Sequence, residues 1–187
     1  MDIEQPLRLL GPVNCEALCT AVLAQSAEAW LAQAHRQNNY EVHKQTQSLV
    51  LVFCDGQMDA LTVTREPAWE TLAEQAVPVM HEIIERSYPK GGTIIRAMAA
   101  KLLAGGRIMP HVDSHASFRM SHRIHVPLTT NPRVRFMIDG RPYQLEPGQA
   151  YEINNQKTHS VMNSGKDDRI TFIFDYLPRQ GDASRSA

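Results

Sequence analysis

Residues 122–177 read HRIHVPLTTNPRVRFMIDGRPYQLEPGQAYEINNQKTHSVMNSGKDDRITFIFDYL. Runs rich in β-branched and aromatic residues alternate there with turn formers: Thr130-Asn131-Pro132, Asp139-Gly140, Glu146-Pro147-Gly148 and Asn163-Ser164-Gly165. Asp-Gly between apolar runs is the strongest of these signals, because both residues tolerate the positive φ of a two-residue hairpin turn. The pattern predicts strands over 120–128, 134–138, 142–145, 150–153, 160–162 and 170–176. Upstream, 94–103 and 109–113 continue it across Gly105-Gly106. Strands this short, each closed by a turn signal, imply two antiparallel sheets packed face to face in a jelly roll.

Further toward the N-terminus the period changes. Asn14 is placed to cap a helix running to about residue 35, in which Cys15, Leu18, Cys19, Val22, Leu23, Ala27 and Trp30 recur at three and four residues. A buried strand is expected at 48–54, then a helix over 67–86 that Pro78 is expected to kink or split. The fold class is therefore mainly β with flanking helices that buttress one sheet from outside. A single domain is expected over 1–178, with a helical N-terminal part of about 1–92, a barrel core of about 93–178 and a flexible tail at 179–187.

The formal net charge of −1 and the scatter of basic residues argue against a nucleic-acid partner, which needs a clustered basic footprint. No apolar run approaches the roughly 20 residues that span a bilayer. The opening MDIEQP is acidic and lacks the apolar core of a signal peptide. The three cysteines, Cys15, Cys19 and Cys54, show no disulfide spacing, which points to a reducing, cytoplasmic compartment. Cys15 and Cys19 read as small core residues, because no second Cys or His pair accompanies them.

The chemistry concentrates in the strand-rich half. His111 and Asp113 are two apart, so on an extended strand both side chains point to one face. His159 opens a strand several hairpins later. Two imidazoles and one carboxylate form the facial triad of non-haem Fe(II) oxygenases, leaving three positions open on an octahedral ion. Arg169 opens the last strand, ten residues after His159, and alternates with Ile170, Phe172, Phe174 and Tyr176. With the aromatics packed outward it faces the barrel interior, where a guanidinium needs an anion. Arg123 and His125 likewise share one face of their strand. Taken singly, each residue has an ordinary structural reading; the joint spacing makes them a site. His115 and His122 fall outside the metal shell, and Asn154 and Asn155 are placed to shape the approach of His159.

Four segments carry a resemblance: PHVD (110–113), HRIHVPLTTN (122–131), LEPGQAYEINNQKTHSVMN (145–163) and RITFIFD (169–175). Together they resemble the aspartyl/asparaginyl β-hydroxylase family, which includes bacterial amino-acid hydroxylases of the proline 3-hydroxylase type, over about 95–178. The resemblance implies a double-stranded β-helix core of cupin-like form. It implies Fe(II) held by His111, Asp113 and His159, and 2-oxoglutarate as co-substrate held by Arg169 with Arg123 and His125. With O₂, such an enzyme hydroxylates an amino acid, or an aspartyl, asparaginyl or prolyl-type residue in a peptide, releasing succinate and CO₂. The vertebrate branch carries glycine where Asp113 stands, so the intact triad resembles the bacterial branch more closely. Only a short tail follows Pro178, unlike the proline 3-hydroxylase type, which argues against free proline as substrate. Two alternatives stand beside this: a cupin-like metal enzyme that does not use 2-oxoglutarate, and a non-catalytic binding domain on the same barrel.

Overall fold

The computed structural model describes residues 1–32, 45–55 and 61–179. The N-terminal part holds β1 (Leu7–Pro12), α1 (Glu16–Leu23), α2 (Ala27–Leu31), β2 (Thr46–Asp55), β3 (Thr62–Arg65) and α3 (Ala68–Ser87). Next come β4 (Thr93–Leu102), β5 (Arg107–His111), a short helix α4 (Ala116–Met120) and β6 (His122–Thr129). The chain ends in β7 (Val134–Ile138), β8 (Arg141–Tyr143), β9 (Gln149–Ile153), β10 (His159–Asn163) and β11 (Arg169–Leu177). The strands form a larger sheet, ordered β1-β9-β6-β11-β4-β2-β3, and a smaller one, ordered β5-β10-β7-β8. All described pairings are antiparallel. The expected jelly roll is present, with helices on the outer face of the larger sheet.

Alternation along β11 explains this layering. Ile170, Phe172, Phe174 and Tyr176 join a core with Leu18 and Val22 of α1 and Leu72, Ala76, Val79, Met80 and Ile83 of α3. Each large side chain buried there contributes about 1.5–3 kcal/mol. A second core lies between the sheets, around Leu102, Phe136, Ile138, Tyr151, Ile153 and Val161. At the β7–β8 turn, Asp139 and Gly140 both take positive φ, 51° and 74°, as the Asp-Gly hairpin requires.

Several expectations are corrected. The helix expected from residue 14 is two helices: α1 stops at Leu23, and Ser26 starts α2 by accepting the Ala29 N–H on its hydroxyl. The expected end of that helix near residue 35, and the tail from 180 on, lie outside the described residues. Pro78 sits inside α3 without splitting it. The part up to residue 92 is not simply helical, since it supplies β1, β2 and β3, and β2 pairs with β4 across the expected boundary. The strand expected from residue 120 begins at His122, because the preceding residues turn into α4 behind a His115 cap. No helix among the described residues is long and apolar enough to cross a membrane.

Candidate metal centre and its pocket

β5 ends at His111 and β10 begins at His159, and antiparallel pairing sets these two residues directly opposite each other. Each imidazole is oriented by the carbonyl two residues before it: His111 Nδ1 lies 2.8 Å from the Met109 oxygen and His159 Nδ1 3.0 Å from that of Lys157. A carbonyl only accepts, so Nδ1 carries the proton and Nε2 keeps its lone pair for a metal. Burial lowers the His159 pKa, against the pull of Asp113, so the ring stays neutral and able to ligate.

Asp113 completes the group. The ligand atoms of His111, Asp113 and His159 all lie within 4.8 Å of one another, the one such cluster among the described residues. Asp113 Oδ1 faces His111 Nε2 at 3.8 Å, while Oδ2 accepts a hydrogen bond from Arg123 Nη1 at 2.7 Å. The Asp113 backbone is tied to the loop before His159: its N–H donates to the Asn155 carbonyl, and its carbonyl accepts from the Gln156 side chain. Asn155 in turn donates to the Phe118 carbonyl, and Asn154 to the Ile3 carbonyl. Both asparagines are fully buried. Asn155 ties the loop before His159 to the segment that carries Asp113, while Asn154 anchors that loop to the N-terminal residues.

The triad opens into a cavity of about 480 Å³ between the sheets. Arg169, His125, Arg123 and Phe136 line it with the three ligands. Arg169 is buried, and its guanidinium makes no hydrogen bond or ion pair with any described residue; it lies 5.8 Å from the centroid of the Phe136 ring. Burial pushes it down to about 10, still charged at neutral pH. Among the described residues neither ring nitrogen of His125 has a hydrogen-bond partner, and burial, with Arg169 and Arg123 nearby, holds its pKa well below the imidazole range. Phe136 packs edge-on against His125 and parallel to His159, so one ring spaces the metal side from the cationic side. Thr171, two residues after Arg169 and on the same face of β11, buries a hydroxyl that has no partner among the described residues. Sequence reading missed it, although alternation from Arg169 identifies it.

Arg123 has close acidic neighbours in the structure. It reaches the pocket wall, but three of its N–H groups are committed, to Asp113 and to both oxygens of Asp175. Asp175 faces inward and brings a counter-charge that the sequence reading did not assign. His115 lines the cavity near Arg96 without joining the metal cluster. His122 lies on the opposite face of β6, where it pairs with buried Glu152 at 2.6 Å.

Comparison with known proteins agrees with this geometry. The family model described as aspartyl/asparaginyl beta-hydroxylase matches residues 20–178. No curated protein matches the sequence. Among solved structures, a prolyl hydroxylase from Trichoplax adhaerens, in complex with a hypoxia inducible factor oxygen degradation domain peptide fragment, superposes with a TM-score of 0.59 at 12% identity. That match covers 93% of this chain and 84% of the other. A 2OG-Fe(II) oxygenase family oxidoreductase from Burkholderia pseudomallei gives 0.54 at 14% identity, over 73% of this chain and 69% of the other. The viral collagen prolyl hydroxylase of Paramecium Bursaria Chlorella virus-1, in its 2OG complex, gives 0.52 at 6% identity, over 95% and 98%. At these identities the three structures show a shared fold.

Proposed function

This chain belongs to the aspartyl/asparaginyl β-hydroxylase family, whose members are hydroxylating oxygenases, and on that premise we propose that His111, Asp113 and His159 hold Fe(II) while Arg169 and His125 receive 2-oxoglutarate. Iron bound there supplies the activation of O₂ that couples decarboxylation of 2-oxoglutarate, giving succinate and CO₂, to hydroxylation of a C–H bond. The observation that carries this reading is the Arg169 guanidinium, buried with no hydrogen-bond or ion-pair partner among the described residues. A buried charge without a partner is costly, and a site pays that cost when its partner is a ligand. A dicarboxylate would suit this pair: Arg169 and the Thr171 hydroxyl would hold one carboxylate, and the metal held by the triad would supply the charge for the other end. Neutral His125 offers an N–H donor along the path. A mononuclear metal enzyme with no acidic co-substrate would have no use for this arrangement.

The substrate is an amino acid, or an aspartyl, asparaginyl or prolyl-type residue in a peptide. It enters beside the triad, where Val112, His115 and Phe118 line the cavity. Residues 1–178 act as one catalytic unit. The three free thiols support a reducing, cytoplasmic setting. The test is turnover: protein, Fe(II), 2-oxoglutarate and ¹⁸O₂ are incubated with panels of free amino acids and peptides. Succinate forms in step with ¹⁸O incorporation into one substrate class. Succinate release no greater than that of His159→Ala, with or without a panel member, would contradict the reading.

A further inference from the structure

The inner face of the larger sheet carries a row of alternating charge across three neighbouring strands. Register sets Arg96 of β4 opposite Asp175 of β11, and Asp175 opposite Arg123 of β6. Asp175 is fully buried. It accepts from Arg123 Nε at 2.8 Å and Nη2 at 2.9 Å, a fork-to-fork pair using both carboxylate oxygens. Arg96 Nη1 lies 3.5 Å from Asp175 Oδ2, and that guanidinium is itself anchored by the Ser117 hydroxyl at 2.7 Å and the Cys54 carbonyl at 3.1 Å. Both guanidiniums pack on the Phe118 ring, at 4.4 and 4.3 Å from its centroid. A further N–H of the row, on Arg123 Nη1, donates to Asp113 Oδ2.

Resting on the reading of the triad as a metal site, we infer that Asp175 is a positioning residue for that site, acting through Arg123 to fix which oxygen Asp113 offers the metal. A carboxylate binds a divalent ion through one oxygen or through both. Here Oδ2 is held by Arg123 and only Oδ1 is turned toward His111. Asp113 is thereby limited to one oxygen, which keeps other coordination positions open for a chelating ligand. Arg123 alone would not achieve this, because an unbalanced buried guanidinium repels a divalent cation and competes with it for the carboxylate. Asp175 removes both problems: it neutralises Arg123 and fixes the plane of its fork. Two arginines and two aspartates then leave the row electrically balanced before any ion arrives.

Mn(II) binding, read from the EPR signal of the free ion, tests this in wild type, Asp175→Asn, Asp175→Glu, Arg123→Met and the Asp175→Asn/Arg123→Met double variant. Circular dichroism checks the fold of each. Asp175→Asn weakens Mn(II) binding at least tenfold, and Asp175→Glu, which keeps the charge, recovers most of the loss. In the Arg123→Met background, removing Asp175 has no further effect, because the residue it acts through is gone. The double variant loses one charge of each sign, so it folds even where the single Asn variant does not, and its comparison with Arg123→Met alone carries the test. Wild-type affinity in Asp175→Asn, or an equal loss in the presence and absence of Arg123, would overturn the inference while leaving the triad intact. Failure of wild type to bind Mn(II) would instead overturn the metal-site reading and this inference with it.

Discussion

His159 stands directly opposite His111 in the β10–β5 ladder, with the two rings 4.3 Å apart. Strand register thus delivers the two imidazoles of the candidate metal centre together. A slip of one residue would send one of them to the other face of the sheet. Because the pair exists only when β5 and β10 are paired, an ion that binds it binds the folded state alone. Metal at a hundred times its Kd then stabilises the protein by about 2.7 kcal/mol. At roughly 2–4 °C per kcal/mol for a chain of this size, Tm rises by several degrees. Thermal unfolding with and without Mn(II) checks this: wild type shifts upward, and His159→Ala shows no shift.

Arg169 carries the opposite signature. Its guanidinium, buried without a hydrogen-bond or ion-pair partner among the described residues, costs the protein on the order of 1–3 kcal/mol until an anion binds. Arg169→Met removes the charge and keeps the volume, so the variant without ligand unfolds at the same temperature as wild type or higher. The same substitution abolishes the rise in Tm that 2-oxoglutarate gives wild type in the presence of Mn(II). A scanning fluorimetry matrix of two proteins and two ligands reads both effects.

Acid should loosen the metal-free protein. His125 and His159 both have pKa values below the ordinary imidazole value of 6.5, with burial the leading cause in each. As pH falls through about 6.5 the unfolded chain takes up protons that the folded chain does not. Stability therefore falls with decreasing pH until the folded-state values are reached. Replacing His125 with Gln removes its share, so the slope of Tm against pH between 7 and 5 flattens relative to wild type.

Asn163 fixes the turn that delivers Arg169. Fully buried, it donates to the carbonyls of Leu103 and Asp167 and accepts from the Gly165 N–H and the Asn131 amide. Truncation to alanine leaves those groups unpaired and costs about 2–4 kcal/mol. Urea unfolding measures that loss. Mn(II) affinity stays within a few-fold of wild type, since the triad lies at the other end of β10, while 2-oxoglutarate affinity falls.

That His111, Asp113 and His159 cluster, and that Arg169 faces the same cavity, was readable from the sequence for a physical reason: period-two alternation fixes a side chain's face, and turn residues fix where the strands begin. The Asp139-Gly140 hairpin and the aromatic face of β11 follow from the same two rules. What pairs with what across strands was not readable. Arg123 looked like an anion-binding residue because nothing local shows that register brings Asp175 beside it and that Asp113 reaches it from the loop after β5. Strand β1, LRLLGP, escaped notice because an edge strand without alternation leaves no periodic signal. Helix α4 escaped because its five residues are too few to show a period.

The most direct test of the co-substrate site is spectroscopic. Apo-protein is titrated under anaerobic conditions with Fe(II) and then 2-oxoglutarate, and the visible charge-transfer band of a chelated 2-oxo acid is followed. A band should grow in wild type, be absent in His159→Ala, and require far more 2-oxoglutarate in Arg169→Met. Fe(II) binding with no band at any 2-oxoglutarate concentration would contradict the account and leave a metal barrel of different chemistry.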